Sequence, residues 1–105
     1  MRFSNEYGYC ELNDFPGNSQ VVVSNHAFIY PQFRKEGHGT KNHELRVERA
    51  KDLGYDYMIC TVRKGNEAEL IILRREGWKE LDGFKNTNTG NDVLIFGKHL
   101  LRETL

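Results

Sequence analysis

The sequence predicts an α/β (α+β) fold: a mixed, mostly antiparallel sheet flanked by two main helices, in the order β–β–α–β–α–β–β. Three observations predict it. Segments rich in β-branched and aromatic residues come in pairs at both ends of the chain, each pair divided by turn formers. Two stretches between them space their apolar residues as helices do. One strand-like run, YDYMICTVR, separates those two helices.

Taken in order, EYGYCEL (6–12) alternates enough for a strand, and NDFPGNS (13–19) is dense in turn formers. QVVVSNHAFIY (20–30) reads as a longer strand that stops against Pro31, so the chain opens with a hairpin. From about 39 to 53 the spacing is helical: Val47, Ala50 and Leu53 share one arc with His43 and Arg46. Glu44, Glu48 and Lys51 fall opposite, and Gly54 is the expected residue after the helix end. Residues 55–63 form a buried strand, which makes 20–63 a βαβ-like unit with a right-handed crossover. The second helix opens at Asn66, where Asn66-x-x-Glu69 has the form of a capping box. Leu70, Ile71 and Leu73 supply its apolar face and Gly77 ends it. WKELDGFKN (78–86) and DVLIFGKHL (92–100) flank TNTGN as a closing hairpin.

With 105 residues the chain is expected to form one domain, residues 1–105, around a modest core. Lys plus Arg is 15 and Asp plus Glu is 15, so the marked basic excess of a general nucleic-acid binder is missing. Arg74-Arg75 and Lys98-His99 read as a solvated charged face. MRFSNEYGYCEL has no apolar core of a signal peptide, and no apolar run approaches the ~20 residues of a membrane span. Cys10 and Cys60 stand far apart without a CxxC, and the four histidines show no metal-site spacing with them. Together these indicate a cytoplasmic protein with two reduced, packed cysteines and no nucleic-acid or membrane partner.

Between the long strand and the first helix lies FRKEGHGT (33–40), with Gly37 and Gly39 one residue apart. Glycine beside a first helical turn lets a ligand approach the backbone closely. The first amides of a helix have no internal acceptor and sit at its positive end, so the pair suits an anion such as phosphate. Arg34 adds a forked cationic donor at the loop entrance. Equally, RKEGHGT is compatible with a plain strand-to-helix turn that binds nothing.

Residues 29–40, Ile-Tyr-Pro-Gln-Phe-Arg-Lys-Glu-Gly-His-Gly-Thr, resemble the acyl-CoA signature of the GNAT superfamily of N-acetyltransferases. That signature is a strand ending in V-x-P-x-[FY], then [QR]-x-x-G-x-[GA] and a helix. Asn66 followed eleven residues later by Gly77-Trp78 resembles the family's second signature. The resemblance spans roughly residues 18–98. It implies acetyl-CoA as co-substrate and direct attack of an amine on the thioester. It also implies that backbone amides of Lys35, Glu36, Gly37, His38, Gly39 and Thr40 cradle the pyrophosphate, with Arg34 at the [QR] place. Backbone groups of Ala27, Phe28 and Ile29 would pair with the pantetheine arm, and Asn66 would touch the cofactor, act as helix cap, or do both.

The chemistry requires a neutral amine. A lysine with pKa of about 10.4 loses its proton at a cost of roughly 4–5 kcal/mol at pH 7, an α-amine at only about 1 kcal/mol. His26, on the strand leading to the cofactor, titrates in the right range for a general base. Glu11 and Asp14 are further candidates acting through water. Many family members place a tyrosine acid seven residues after the Asn; Leu73 stands there, leaving Tyr30, Tyr55 or Tyr57 as substitutes.

Other departures shape expectations. Family helices are usually aliphatic at the places of Asn42 and His43, so a buried His43 needs a hydrogen-bond partner. Glu36 in a phosphate loop should turn its carboxylate away from the ligand. Family members carry another strand and a helical pair at the N-terminus, whereas only about 17 residues precede the long strand here. That leaves an open acceptor side, suited to a protein surface or to completion by a second subunit as a homodimer. Trimmed domains of this kind are also similar to proteins of bacteriophages.

Overall fold

The computed structural model describes residues 1–100, the side chains of His26 and Ala27 excepted. Six strands form one sheet: β1 (Arg2–Ser4), β2 (Gly8–Phe15), β3 (Asn18–Ile29), β4 (Tyr57–Arg63), β5 (Lys79–Lys85) and β6 (Asp92–His99). A 3₁₀ turn (Pro31–Phe33) and α1 (His38–Asp52) join β3 to β4, and α2 (Glu67–Arg75) joins β4 to β5. The strand order is β1-β2-β3-β4-β6-β5, antiparallel throughout except for β3 and β4, which run parallel side by side. The expected βαβ unit is therefore a pair of adjacent strands.

Alternation along the strands puts Leu12, Val22, Met58, Cys60, Val62 and Phe96 on one face. Both helices pack into that cluster, α1 through Val47 and Ala50, α2 through Leu70 and Leu73, with Trp78 beside them. The other face offers half-buried Val21, Val23, Ile59 and Ile95.

Several expectations need correction. β1 was not predicted: three residues are too few for a periodicity, and the strand is fixed by pairing, with Leu12 N–H donating to Met1 O at 2.8 Å. The predicted turn at 13–19 shrinks to Pro16-Gly17, where Gly17 takes φ of 84°. Asn13 and Asp14 stay in β2 because their side chains find partners across the sheet, Asn25 at 3.1 Å and the Tyr55 hydroxyl. Leu53 caps α1 and is 47 % exposed, and Ile71 is 61 % exposed. At 100° per residue Ile71 stands well away from the Leu70–Leu73 stripe.

The capping box closes on one side only. Asn66 Oδ1 accepts from Glu69 N–H at 3.3 Å, but Asn66 N–H goes to Arg63 O and the Glu69 carboxylate turns to Arg46. Gly54 and Gly77 do end their helices with positive φ, as expected. Among the described residues no helix is long and apolar enough to cross a membrane.

Candidate active site

Parallel pairing of β3 with β4 covers only Val21–Ser24 against Tyr57–Cys60, yet β3 continues to Ile29 and β4 to Arg63. Beyond Ser24 and Cys60 the two strands are no longer paired with each other, and a cleft of about 710 Å³ occupies this part of the fold. Its walls are Phe28 and Ile29 of β3, Gly39, Asn42 and Arg46 of α1, and Asn66, Glu69 and Ile72 at α2. A β-bulge shapes β3 here, because Tyr9 to Glu11 on β2 faces Phe28 to Asn25, one residue more. Gly8 permits it: a Cβ at this position would lie 2.1 Å from the Phe28 carbonyl oxygen.

At the head of α1, Lys41 N–H is the first helical amide to be donated back, to Gly37 O at 3.3 Å. The amides of His38, Gly39 and Thr40 precede it without a backbone acceptor among the described residues, as the opening of any helix dictates. Gly37 is the N-cap with φ of 83° and gives no side-chain cap, while Lys35 is a non-glycine residue at φ of 67°. The loop is held from below. The His38 ring stacks on Tyr7 at 3.9 Å and meets Phe33 edge-on, and its Nε2 lies 3.2 Å from Glu36. Thus the histidine between the glycines anchors the turn and holds the Glu36 carboxylate.

Of the residues singled out in the sequence, Phe28, Ile29, Arg34, Lys35, Gly39 and Asn66 meet at the cleft. Glu36, Gly37, His38 and Thr40 build the turn behind it, and Thr40 Oγ1 accepts from Arg75. Arg34 lies over the Phe28 ring and its Nε donates to Ile29 O at 3.0 Å, so it is tied to the wall of the cleft. The side chains of His26 and Ala27 lie outside the described residues. Glu11 pairs with Arg2 at 3.9 Å, and Asp14 takes the Tyr55 hydroxyl; neither lines the cleft.

Leu73 is fully buried in the core and serves packing. Tyr30 belongs to an aromatic group with Tyr9 and Phe28, and Tyr57 packs against Gly97 and His99. The sequence reading missed Arg46, Arg63 and Glu69 as cleft residues. One signal was visible: Arg46 is a charge on the buried arc of α1. It is 4 % exposed and donates to Ser24 Oγ at 3.2 Å and to Glu69 Oε1 at 2.9 Å.

His43, 1 % exposed, has the partners its burial requires: Trp78 Nε1 at 3.2 Å and Arg46 Nη2 at 3.3 Å. Burial, then the nearby Arg46 charge, push its pKa down to about 4. Burial also raises the Cys10 thiol and pushes Cys60 up to about 12, and both cysteines are free. Among the described residues no group of three His, Cys, Asp or Glu side chains is placed to hold a metal.

The fold with its splayed central strands is that of the GNAT acetyltransferases. It superimposes on the ribosomal-protein-S18-alanine N-acetyltransferase of Escherichia coli with a TM-score of 0.78 at 13 % identity, covering 99 % of this chain and 71 % of that one. The Salmonella typhimurium protein yncA, solved with its cofactor acetyl-CoA, gives 0.79 at 17 %, covering 94 % and 61 %. The ribosomal-protein-alanine N-acetyltransferase of Brucella melitensis gives 0.79 at 20 %, covering 93 % and 66 %. This chain thus spans between three fifths and three quarters of their length, and at such identities the likeness establishes the fold. No protein-family model and no curated protein matches the sequence.

Proposed function

We propose that residues 1–105 act as one N-acetyltransferase domain, moving an acetyl group from acetyl-CoA to an amine by direct attack. The observation that supports this most is the cleft itself. The open amides of α1 and the Asn66 end of α2 border one groove where β3 is no longer paired with β4, and Arg34, Lys35, Arg46 and Arg63 outnumber Glu67 and Glu69 along it. An anionic nucleotide thioester fits that charge and shape. Its phosphates belong at Lys35–Thr40, its pantetheine along β3 past Ser24, and its thioester near Arg46. Several of the similar structures bear acetyltransferase names, and one holds acetyl-CoA.

In the reaction the amine nitrogen bonds to the thioester carbon and the C–S bond breaks. The electron pair leaves on sulfur, and the amine proton passes to solvent or to the thiolate. A thiol pKa near 8.5 makes that thiolate a tolerable leaving group without an acid. The half-buried sheet face opposite the helices suits an extended acceptor such as a protein surface, or a second copy of the chain. A base role for His26 is retained as part of this proposal.

One observation favours a second reading, a binding module that holds acyl-CoA without turnover: Leu73 is buried, and none of Tyr30, Tyr55 and Tyr57 lines the cleft. Calorimetry with acetyl-CoA tests the shared site, and absence of binding overturns both readings. Thiol release from acetyl-CoA over a panel of amines then separates them, since turnover with any acceptor removes the inert module.

A further inference from the structure

A smaller cavity of about 190 Å³ lies where the pairing of β3 and β4 ends, lined by Ser24, Asn25, Cys60, Thr61, Arg46 and Arg63 among others. It shares Arg46, Arg63, Asn66 and Glu69 with the main cleft, so the two adjoin at the end where the acyl group would lie.

An acetyl group ends in a methyl, for which an apolar wall suffices. This wall is built otherwise. The Arg46 guanidinium has five N–H donors, of which one on Nη1 goes to Ser24, one on Nη2 to Glu69, and one on Nη2 faces His43. Among the described residues, the second hydrogen on Nη1 meets no acceptor and the buried Nε has no partner. Arg63 lines both cavities and has no ion pair among the described residues. Among the described residues Glu69 is the one carboxylate on the smaller cavity and is already bonded to Arg46, which leaves a surplus of one positive charge there.

We infer that this end of the cleft accepts, besides acetyl, short acyl groups that finish in a carboxylate, as in malonyl and succinyl thioesters of CoA. Arg46 and Arg63 hold the terminal carboxylate and the Ser24 hydroxyl borders it. The inference rests on the proposed CoA site. Transfer follows the same balance: the amine nitrogen bonds to the thioester carbon, the C–S bond breaks, and the amine proton goes to solvent or thiolate. The product amide then carries a free carboxylate where a cationic amine stood.

Calorimetry on the wild-type chain with CoA, butyryl-CoA and succinyl-CoA tests this, because the last two differ only in methyl against carboxylate. Succinyl-CoA is expected to bind roughly tenfold tighter than butyryl-CoA, as charge-assisted bonding to a guanidinium predicts. Arg63→Gln, an exposed position that should not endanger folding, is expected to shrink that ratio whatever its effect on CoA itself, because the ratio compares two ligands that share the CoA part. Butyryl-CoA binding as well as succinyl-CoA overturns the inference and leaves the CoA site standing. Failure of CoA and both thioesters to bind overturns the site and the inference together.

Discussion

Trp78 Nε1 lies 3.2 Å from Nε2 of His43, while Arg46 Nη2 stands 3.3 Å from the same ring's Nδ1, so donors face both imidazole nitrogens. A neutral imidazole accepts at one nitrogen only, and a protonated one accepts at neither. This arrangement and the burial of the ring explain why its pKa falls from 6.5 to about 4. The unfolded chain therefore takes up a proton below pH 6.5 that the folded chain refuses until about 4. Stability from this group is complete above pH 6.5 and is lost as pH falls toward 4, by up to about 3 kcal/mol. Urea unfolding across that window measures it. His43→Leu should lower stability at pH 7, because Trp78 loses its acceptor, and its deficit relative to wild type should shrink as pH falls from 6.5 toward 4.

Gly39, which lines the cleft, separates fold from ligand. A methyl at Gly39 would meet only Ile72 Cδ1, at an ordinary 3.6 Å. Inside a helix, Gly→Ala gains roughly 0.5–1 kcal/mol. Gly39→Ala is thus expected to keep or raise the melting temperature while weakening acetyl-CoA binding, since the methyl stands where phosphate oxygens should reach the amides. Unchanged affinity in a well-folded variant would remove the cradle.

Gly8 makes the opposite case. A Cβ there collides with the Phe28 carbonyl at 2.1 Å and touches Ile29 Cα at 3.0 Å, both backbone atoms. Forcing β2 from β3 costs on the order of 1–3 kcal/mol by the usual scale of overpacking. Gly8→Ala should lower the denaturation midpoint and disturb the bulge that aims β3 into the cleft. A midpoint equal to wild type would show that the strands part easily at this point.

These residues also show where a sequence stops being legible. Both helices and the long strand announce themselves, because the spacing of Val47, Ala50, Leu70 and Leu73 follows from which face meets the sheet. The glycine turn was legible as a motif, since Gly37 must adopt a φ that other residues avoid. Neither the bulge at Tyr9–Glu11 nor the need for glycine at position 8 leaves a local trace, as both arise from pairing across strands. Asn13 and Asp14 read as turn because their tertiary partners, Asn25 and Tyr55, are distant in the chain. Glu69 read as a capping partner for the same reason: the competing Arg46 lies a helix away.

Cys10 and Cys60 are 1 % and 4 % exposed, and burial raises both thiols above their ordinary range. Only the thiolate reacts appreciably, so both should resist a disulfide reagent in the native chain. Two thiols should titrate in denaturant and essentially none in buffer over minutes. Rapid labelling of either in buffer would reveal local opening of β2 or β4.

Asn66 holds two positions at once, capping α2 through Glu69 N–H at 3.3 Å and lining the cleft beside Gly65 and Glu67. Asn66→Ala removes the cap, worth about 0.5–2 kcal/mol, and any ligand contact with it. Asn66→Asp keeps a capping oxygen and adds a favourable charge at the helix start, so its stability should match or exceed wild type. The same negative charge faces the anionic ligand across the cleft and should weaken acetyl-CoA binding. Measuring melting temperature and calorimetric affinity for both variants resolves the roles. Alanine should lose on both counts and aspartate on affinity alone. Should aspartate bind acetyl-CoA as well as wild type does, Asn66 is a cap and nothing more.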